Sequence, residues 1–155
     1  MMILEKIISI ERVKIWGSDV DKWTVIDELA DLIAATGKGI DREALIRDTL
    51  DREYKGSTGI GKGIAIPHAR TAGVDGLVGA LGISERGIDF ESEDGQPCHL
   101  IFLILAPHEE STRYLKALSA VAFIGKDDAI ISRLKSASSP DEVISILGEV
   151  ESGNH

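Results

Sequence analysis

Apolar positions along this chain follow two periods. Between Ile8 and Trp16 they alternate imperfectly with polar ones, which predicts a short strand that turns Arg12 and Lys14 outward and stops at Gly17. From Ser18 the period lengthens. Ser18 and Asp21 form an approximate capping box, and Trp23, Ile26, Leu29, Ala30 and Ile33 recur at helical spacing until Gly37 and Gly39 interrupt them. Asp41 is placed to cap a second helix that carries Leu45, Ile46 and Leu50 and ends near Tyr54 or Lys55, before the loop Gly56-Ser57-Thr58-Gly59.

Beyond that loop the pattern changes again. Residues 77–83 and 99–105 are short apolar runs bounded by turn residues, which predicts strands, at least one of them buried in a sheet. Glu93-Asp94-Gly95-Gln96 is a turn signal between them. Residues 111–123 place Leu115, Leu118, Val121 and Ala122 on one helical face, and 127–136 do the same with Ile130, Ile131 and Leu134. Ser139-Pro140 with Glu142 marks the start of a last helix through an N-cap, a first-turn proline and a capping-box acid. The tail after about Val150 is expected to fray. The order is therefore strand, two helices, several strands and three helices. It implies an α/β or α+β arrangement in which helices flank a mixed β-sheet.

Size and charge narrow the picture. With 155 residues, 43% of them apolar, the chain suits one domain spanning 1–155. A net charge of -9 argues against nucleic acid and anionic lipid, both of which need clustered Lys and Arg, and leaves proteins as the better partner class. No apolar run is long enough to span a bilayer and the N-terminus lacks a signal-peptide pattern, so direct membrane insertion is excluded and a cytoplasmic location is expected. The lone Cys98 adjoins an apolar run and reads as a small buried hydrophobe, and no Cys/His spacing suits a metal.

The chemistry concentrates in Gly59-Ile60-Gly61-Lys62-Gly63-Ile64-Ala65-Ile66-Pro67-His68-Ala69-Arg70. Ile66 precedes a proline and is pushed toward extended geometry, while Pro67 fixes its own φ, so His68 is delivered from a stiff stem. The glycines would let backbone N–H groups approach an anion. The run fits neither G-x-G-x-x-G, since Ile64 takes the last glycine's place, nor a P-loop, since no Gly-Lys-Ser/Thr follows. Nucleotide binding is disfavoured on that ground.

Glu53 followed by Ile60 to Ala69 resembles the phosphorylation-site pattern of the fructose/mannitol class of phosphotransferase-system IIA domains, which includes the nitrogen-regulatory IIA proteins. The resemblance continues through Arg52-Glu53-x-x-Gly56-Ser57-Thr58-Gly59, Asp94-Gly95-Gln96-Pro97, the segment from Ile101 to Pro107, Leu134, and the ending from Ser138 to Ile146, so that nearly the whole chain is covered. It implies a single-domain sandwich with a mixed sheet flanked by helices, a phosphohistidine at His68 and a phosphorylated HPr-like carrier as donor. No cofactor is called for. A neutral imidazole has the lone pair that attack on phosphorus requires, and an unperturbed pKa of about 6.5 keeps most of it neutral near pH 7.

By the same resemblance, Arg52 stands where this family places an arginine beside the active histidine, as a clamp for the equatorial oxygens. Ser57 and Thr58 are candidate hydroxyl donors to the phosphate. Lys62 and Arg70 carry little weight. One departure stands out: the family's second histidine, just before the Leu-x-x-Leu of the following helix, is replaced by Tyr114, whose phenol keeps one hydrogen bond to offer a phosphoryl group. His108 reads as an exposed loop residue, His99 as a strand residue and His155 as part of the tail.

Three functions follow. The first is a free-standing regulatory phosphocarrier whose phosphorylation state controls binding to target proteins. The second is a sugar-transport IIA component that passes phosphate to a IIB partner in fructose- or mannitol-type uptake. A binding module that is never phosphorylated is the third.

Overall fold

The computed structural model describes residues 3–152. Helix α1 (Ile3–Ile7) and a 3-10 turn (Ile10–Arg12) lead into strand β1 (Val13–Trp16) and helices α2 (Lys22–Thr36) and α3 (Arg42–Tyr54). Strands β2 (Gly59–Gly61), β3 (Ile64–Ala65), β4 (His68–Arg70), β5 (Val78–Ile88) and β6 (Cys98–Ala106) follow, and then helices α4 (Thr112–Ile124), α5 (Asp128–Lys135) and α6 (Pro140–Ser152). The six strands form one mixed sheet ordered β1-β5-β6-β3-β2, with β4 also paired to β6. β5 and β6 run antiparallel in the register Val78↔Leu105, whereas β3 and β4 run parallel to β6 in the registers Ile64↔Leu100 and His68↔Ile104.

The uninterrupted apolar run at 99–105 has a direct cause. Leu100, Phe102, Ile104 and Ala106 point into a core closed by α1, α4, α5 and α6. Ile101, Leu103 and Leu105 point into a second core closed by α2 and α3. Both faces of β6 are covered, so successive side chains alternate between two dry interiors and nearly every position is apolar. The expected mixed sheet flanked by helices is the observed fold.

Several local expectations fail for identifiable reasons. The short strand expected between Ile8 and Trp16 is β1, which occupies Val13–Trp16 after the 3-10 turn, whereas α1 was not expected. Five residues are too few to show a period in sequence, and α1 takes its place through Ile3, Leu4 and Ile7, all buried. The cap of α2 is Asp21 rather than Ser18: its carboxylate accepts the Thr24 N–H at 2.8 Å. Trp23 leaves the predicted apolar face and stacks on Tyr54 with ring centroids 4.8 Å apart, while Val25 is buried instead. On α4 the buried stripe is Tyr114, Ala117, Val121 and Ile124, which leaves Leu115 and Ala122 exposed. That rotation turns Tyr114 toward the sheet.

The tail from residue 153 onward lies outside the described residues. Helix α6 continues to Ser152 because the Glu151 carboxylate accepts the first backbone N–H groups of α1, from Ile3 and Leu4 at 2.9 Å each and from Glu5 at 2.7 Å. His155 lies outside the described residues.

Candidate functional site

The glycine-rich segment folds as a hairpin and then a broken strand. Gly61, Lys62 and Gly63 all adopt positive φ, between 61° and 92°, and so reverse the chain from β2 into β3. The Gly63 carbonyl accepts N–H groups from His99 and Leu100, which ties the turn to β6. Then β3 and β4 run along β6 as two pieces of one path, separated by Ile66 and Pro67. Across that gap the Ile66 N–H donates to the Thr58 carbonyl at 3.0 Å, and the Pro67 carbonyl accepts the Ile104 N–H at 3.0 Å. Pro67 has no N–H to leave unsatisfied.

His68 begins β4, half-buried, at the wall of an open hollow of about 400 Å³. Around it stand Arg52 and Lys55 from the end of α3, Arg70 from β4 and Tyr114 from the first turn of α4, with Asp48 and Asp51 on the α3 side. Three cations therefore meet in one hollow of an acidic chain. The His68 Nδ1 lies 2.6 Å from the Ile66 carbonyl oxygen. A carbonyl only accepts, so Nδ1 carries the proton, and in the neutral ring Nε2 holds the lone pair. Burial, the largest influence, holds the His68 pKa below the ordinary imidazole value; the bond to Ile66 opposes this, the nearby Arg52 charge adds to it, and Glu53 opposes it. The ring is accordingly neutral at neutral pH.

The Arg70 guanidinium lies 5.2 Å from the centre of the Tyr114 ring, and the Tyr114 and His68 centroids are 6.2 Å apart. Burial raises the Tyr114 pKa against the opposing charges of Arg70 and Arg52, so its phenol keeps its proton. Arg52 donates from Nη1 to the Gly56 carbonyl at 2.9 Å, which orders the side chain beside the hollow.

The structure does not bring Ser57 and Thr58 into the hollow. The Ser57 hydroxyl donates to the Phe90 carbonyl and accepts from the Gly59 N–H, and the buried Thr58 hydroxyl donates to Glu53 at 2.6 Å. Both are occupied in holding the loop. The glycines likewise build the hairpin and do not line the hollow, so the expected cradle of glycine amides is not formed there. Lys62 reaches away to Asp128 at 3.7 Å. His99 is bonded to the Ser84 carbonyl at 2.8 Å, and His108 is exposed in its loop. Arg70, given little weight by the sequence, lines the hollow beside His68. It lies two residues beyond His68 on a strand, and the period of two puts both side chains on one face.

The model for the phosphoenolpyruvate-dependent sugar phosphotransferase system EIIA 2 domain matches residues 6–150. The chain belongs to the PTS EIIA 2 family. The resemblance read from the sequence is thereby borne out, and with it a general role in phosphoryl transfer. The chain is 38% identical over 148 residues to the PTS system fructose-specific EIIABC component of Bacillus subtilis (strain 168), covering 96% of this chain but only 23% of that relative. The crystal structure of nitrogen regulatory protein IIA-Ntr from Neisseria meningitidis matches with a TM-score of 0.84 and 30% identity, over 93% of this chain and 98% of that one. Enzyme IIAMTL of Escherichia coli, solved in complex with phosphorylated enzyme IIBMTL, matches with a TM-score of 0.75 over 89% of this chain and 94% of that one; at 22% identity this likeness speaks for the fold of the EIIA 2 domain. Among the described residues, no helix is long and apolar enough to cross a membrane.

Proposed function

We propose that this EIIA 2 domain is a phosphocarrier that takes a phosphoryl group onto Nε2 of His68 from the phosphohistidine of an HPr-like donor. One observation carries the reading. Nδ1 is fixed to the Ile66 carbonyl, so the nucleophilic nitrogen is the one left over, beside a hollow where Arg52, Lys55 and Arg70 gather. In the transfer the Nε2 lone pair forms the new N–P bond, the donor's N–P bond breaks, and its electron pair returns to the donor ring. The proton stays on Nδ1, and the charge that develops there faces the Ile66 carbonyl dipole. Arg52 offsets charge on the equatorial oxygens, and the Tyr114 phenol donates one hydrogen bond to them. Arg70 joins this set in place of Ser57 and Thr58.

The likeness to IIA-Ntr, over 98% of that chain, favours a regulatory carrier acting in the cytoplasm, with target proteins that distinguish its phosphorylated from its free form. The likeness to a fructose-specific EIIABC component supports a second reading, in which the group passes on to a IIB partner. Incubation with phosphoenolpyruvate, enzyme I and HPr tests the acceptor assignment directly. The expected result is one acid-labile phosphate on the peptide that contains His68 and none in His68→Ala. Label that survives in His68→Ala refutes the site.

A further inference from the structure

A continuous line of hydrogen bonds joins the hollow to an ion pair buried behind it. Glu53 follows Arg52 on the last turn of α3, yet its side chain points inward and is fully buried. Lys22, the first residue of α2, meets it there with a side chain only 6% exposed, and its Nζ lies 2.9 Å from Glu53 Oε2. The same oxygen accepts the Thr58 N–H at 3.0 Å, while Oε1 accepts the Thr58 hydroxyl at 2.6 Å. One carboxylate thus grips Thr58 at two points. The Thr58 carbonyl then accepts the Ile66 N–H at 3.0 Å, and the Ile66 carbonyl accepts the His68 Nδ1–H at 2.6 Å.

We propose that Lys22, Glu53 and Thr58 form a positioning relay for His68, which holds the Ile66 carbonyl where it fixes the Nδ1–H tautomer and leaves Nε2 free for phosphorus. The inference rests on the reading of His68 as the phosphoryl acceptor.

Two arguments favour a positioning role over a purely structural one. A buried ion pair is a poor source of stability, since apolar side chains of similar volume commonly do as well. What this pair supplies is a fixed location: two donors of one residue bound to one carboxylate, which is itself held by a cation. Lys22 Nζ also stands over the Phe90 ring at 5.3 Å, so the cation has little freedom to drift. The second argument is electrostatic. Formation of the N–P bond with retention of the Nδ1 proton leaves the ring formally cationic. Glu53 is a neighbour whose charge favours a cationic His68 ring, in opposition to Arg52. The relay thus aligns the ring through hydrogen bonds and favours the charge it acquires, as a buried carboxylate does for a catalytic imidazole elsewhere.

The ring itself gives the test. In unphosphorylated, ¹⁵N-labelled protein, long-range proton–nitrogen spectra of the parent should show His68 protonated at Nδ1 when neutral. Three variants outside the hollow follow: Thr58→Val, the double variant Lys22→Met with Glu53→Gln, and Thr58→Ser as conservative rescue. Thr58→Val and the double variant should populate both tautomers and lose on the order of 10-fold in kcat for transfer from phosphorylated HPr, with KM unchanged. Thr58→Ser should keep the parent's spectrum and rate. If the double variant does not fold by circular dichroism, Thr58→Val, which leaves the ion pair in place, decides alone. A folded Thr58→Val variant that retains the pure Nδ1–H spectrum, or that changes only KM, overturns the relay. Should the parent itself take no phosphate on His68, the acceptor reading fails, while the ring spectra still judge the relay.

Discussion

The rings of His68 and Tyr114 face each other across the hollow with centroids 6.2 Å apart and planes inclined by 55°. Tyr114 reaches this position because α4 buries the stripe that contains it, and Arg70 packs over its ring. It stands where the family resemblance leads one to expect a second imidazole. Tyr114→Phe keeps the buried ring and removes only the phenol hydroxyl, so thermal stability should change little. A hydrogen bond to a charged group contributes about 1.5–3 kcal/mol, so loss of the hydroxyl should slow phosphoryl acceptance on the order of 10- to 100-fold. Tyr114→His should transfer faster than the parent. Stopped-flow measurements of transfer from phosphorylated HPr check both; a Phe variant as fast as the parent removes Tyr114 from the machinery.

In the proposed transfer Arg52 acts on His68 in two ways whose signs can be separated. Its charge helps to hold the imidazole pKa below the ordinary value, although burial does most of that work. A lowered pKa means that the neutral nucleophile is depleted only at acid pH, so the parent's rate should climb through the acid range and level off before neutrality. Arg52→Ala should raise the His68 pKa in an NMR titration and lower the transfer rate at the same time. The higher pKa alone would cost rate only below neutrality. A deficit of about 10-fold or more that persists well above neutrality identifies the lost clamp; a rate that recovers fully there assigns the whole effect to protonation.

The layered fold was legible because β6 carries a long apolar run and α2, α3, α5 and α6 carry helical periods. Asp41 and Ser139 accept the first-turn N–H groups that the sequence assigned to them. The stem at Ile66 and Pro67 was legible too, since proline geometry is local. What escaped depends on tertiary choices. Leu115 and Tyr114 are adjacent on α4, both apolar enough to bury, and only the shape of the sheet decides which turns inward. Ser57 and Thr58 have hydroxyls that suit a phosphate, but Phe90 and Glu53, distant or inward-facing, claim them first. Glu53 enters the sequence reading only as the first residue of the family pattern, and its burial against Lys22 shows only in the structure. Local spacing carried no trace of that pairing.

The contact between the chain ends offers a test away from the hollow. Helix α1 has only five residues, too short to persist on intrinsic propensity, and its opening N–H groups have no partners within the helix. The Glu151 carboxylate accepts three of them, which joins the end of α6 to the start of α1 and seats Ile3, Leu4 and Ile7 in the core. Glu151→Ala strands those donors and should lower stability by about 1–3 kcal/mol in urea unfolding. Glu151→Gln retains an accepting oxygen without the charge and should lose less. The loss should begin locally: amide exchange in α1 should speed up more than exchange in β6, because α1 can detach while the sheet remains paired on both sides. Uniform acceleration across both elements, or an unchanged urea midpoint in the Ala variant, contradicts the view that this carboxylate is what holds α1 against the core.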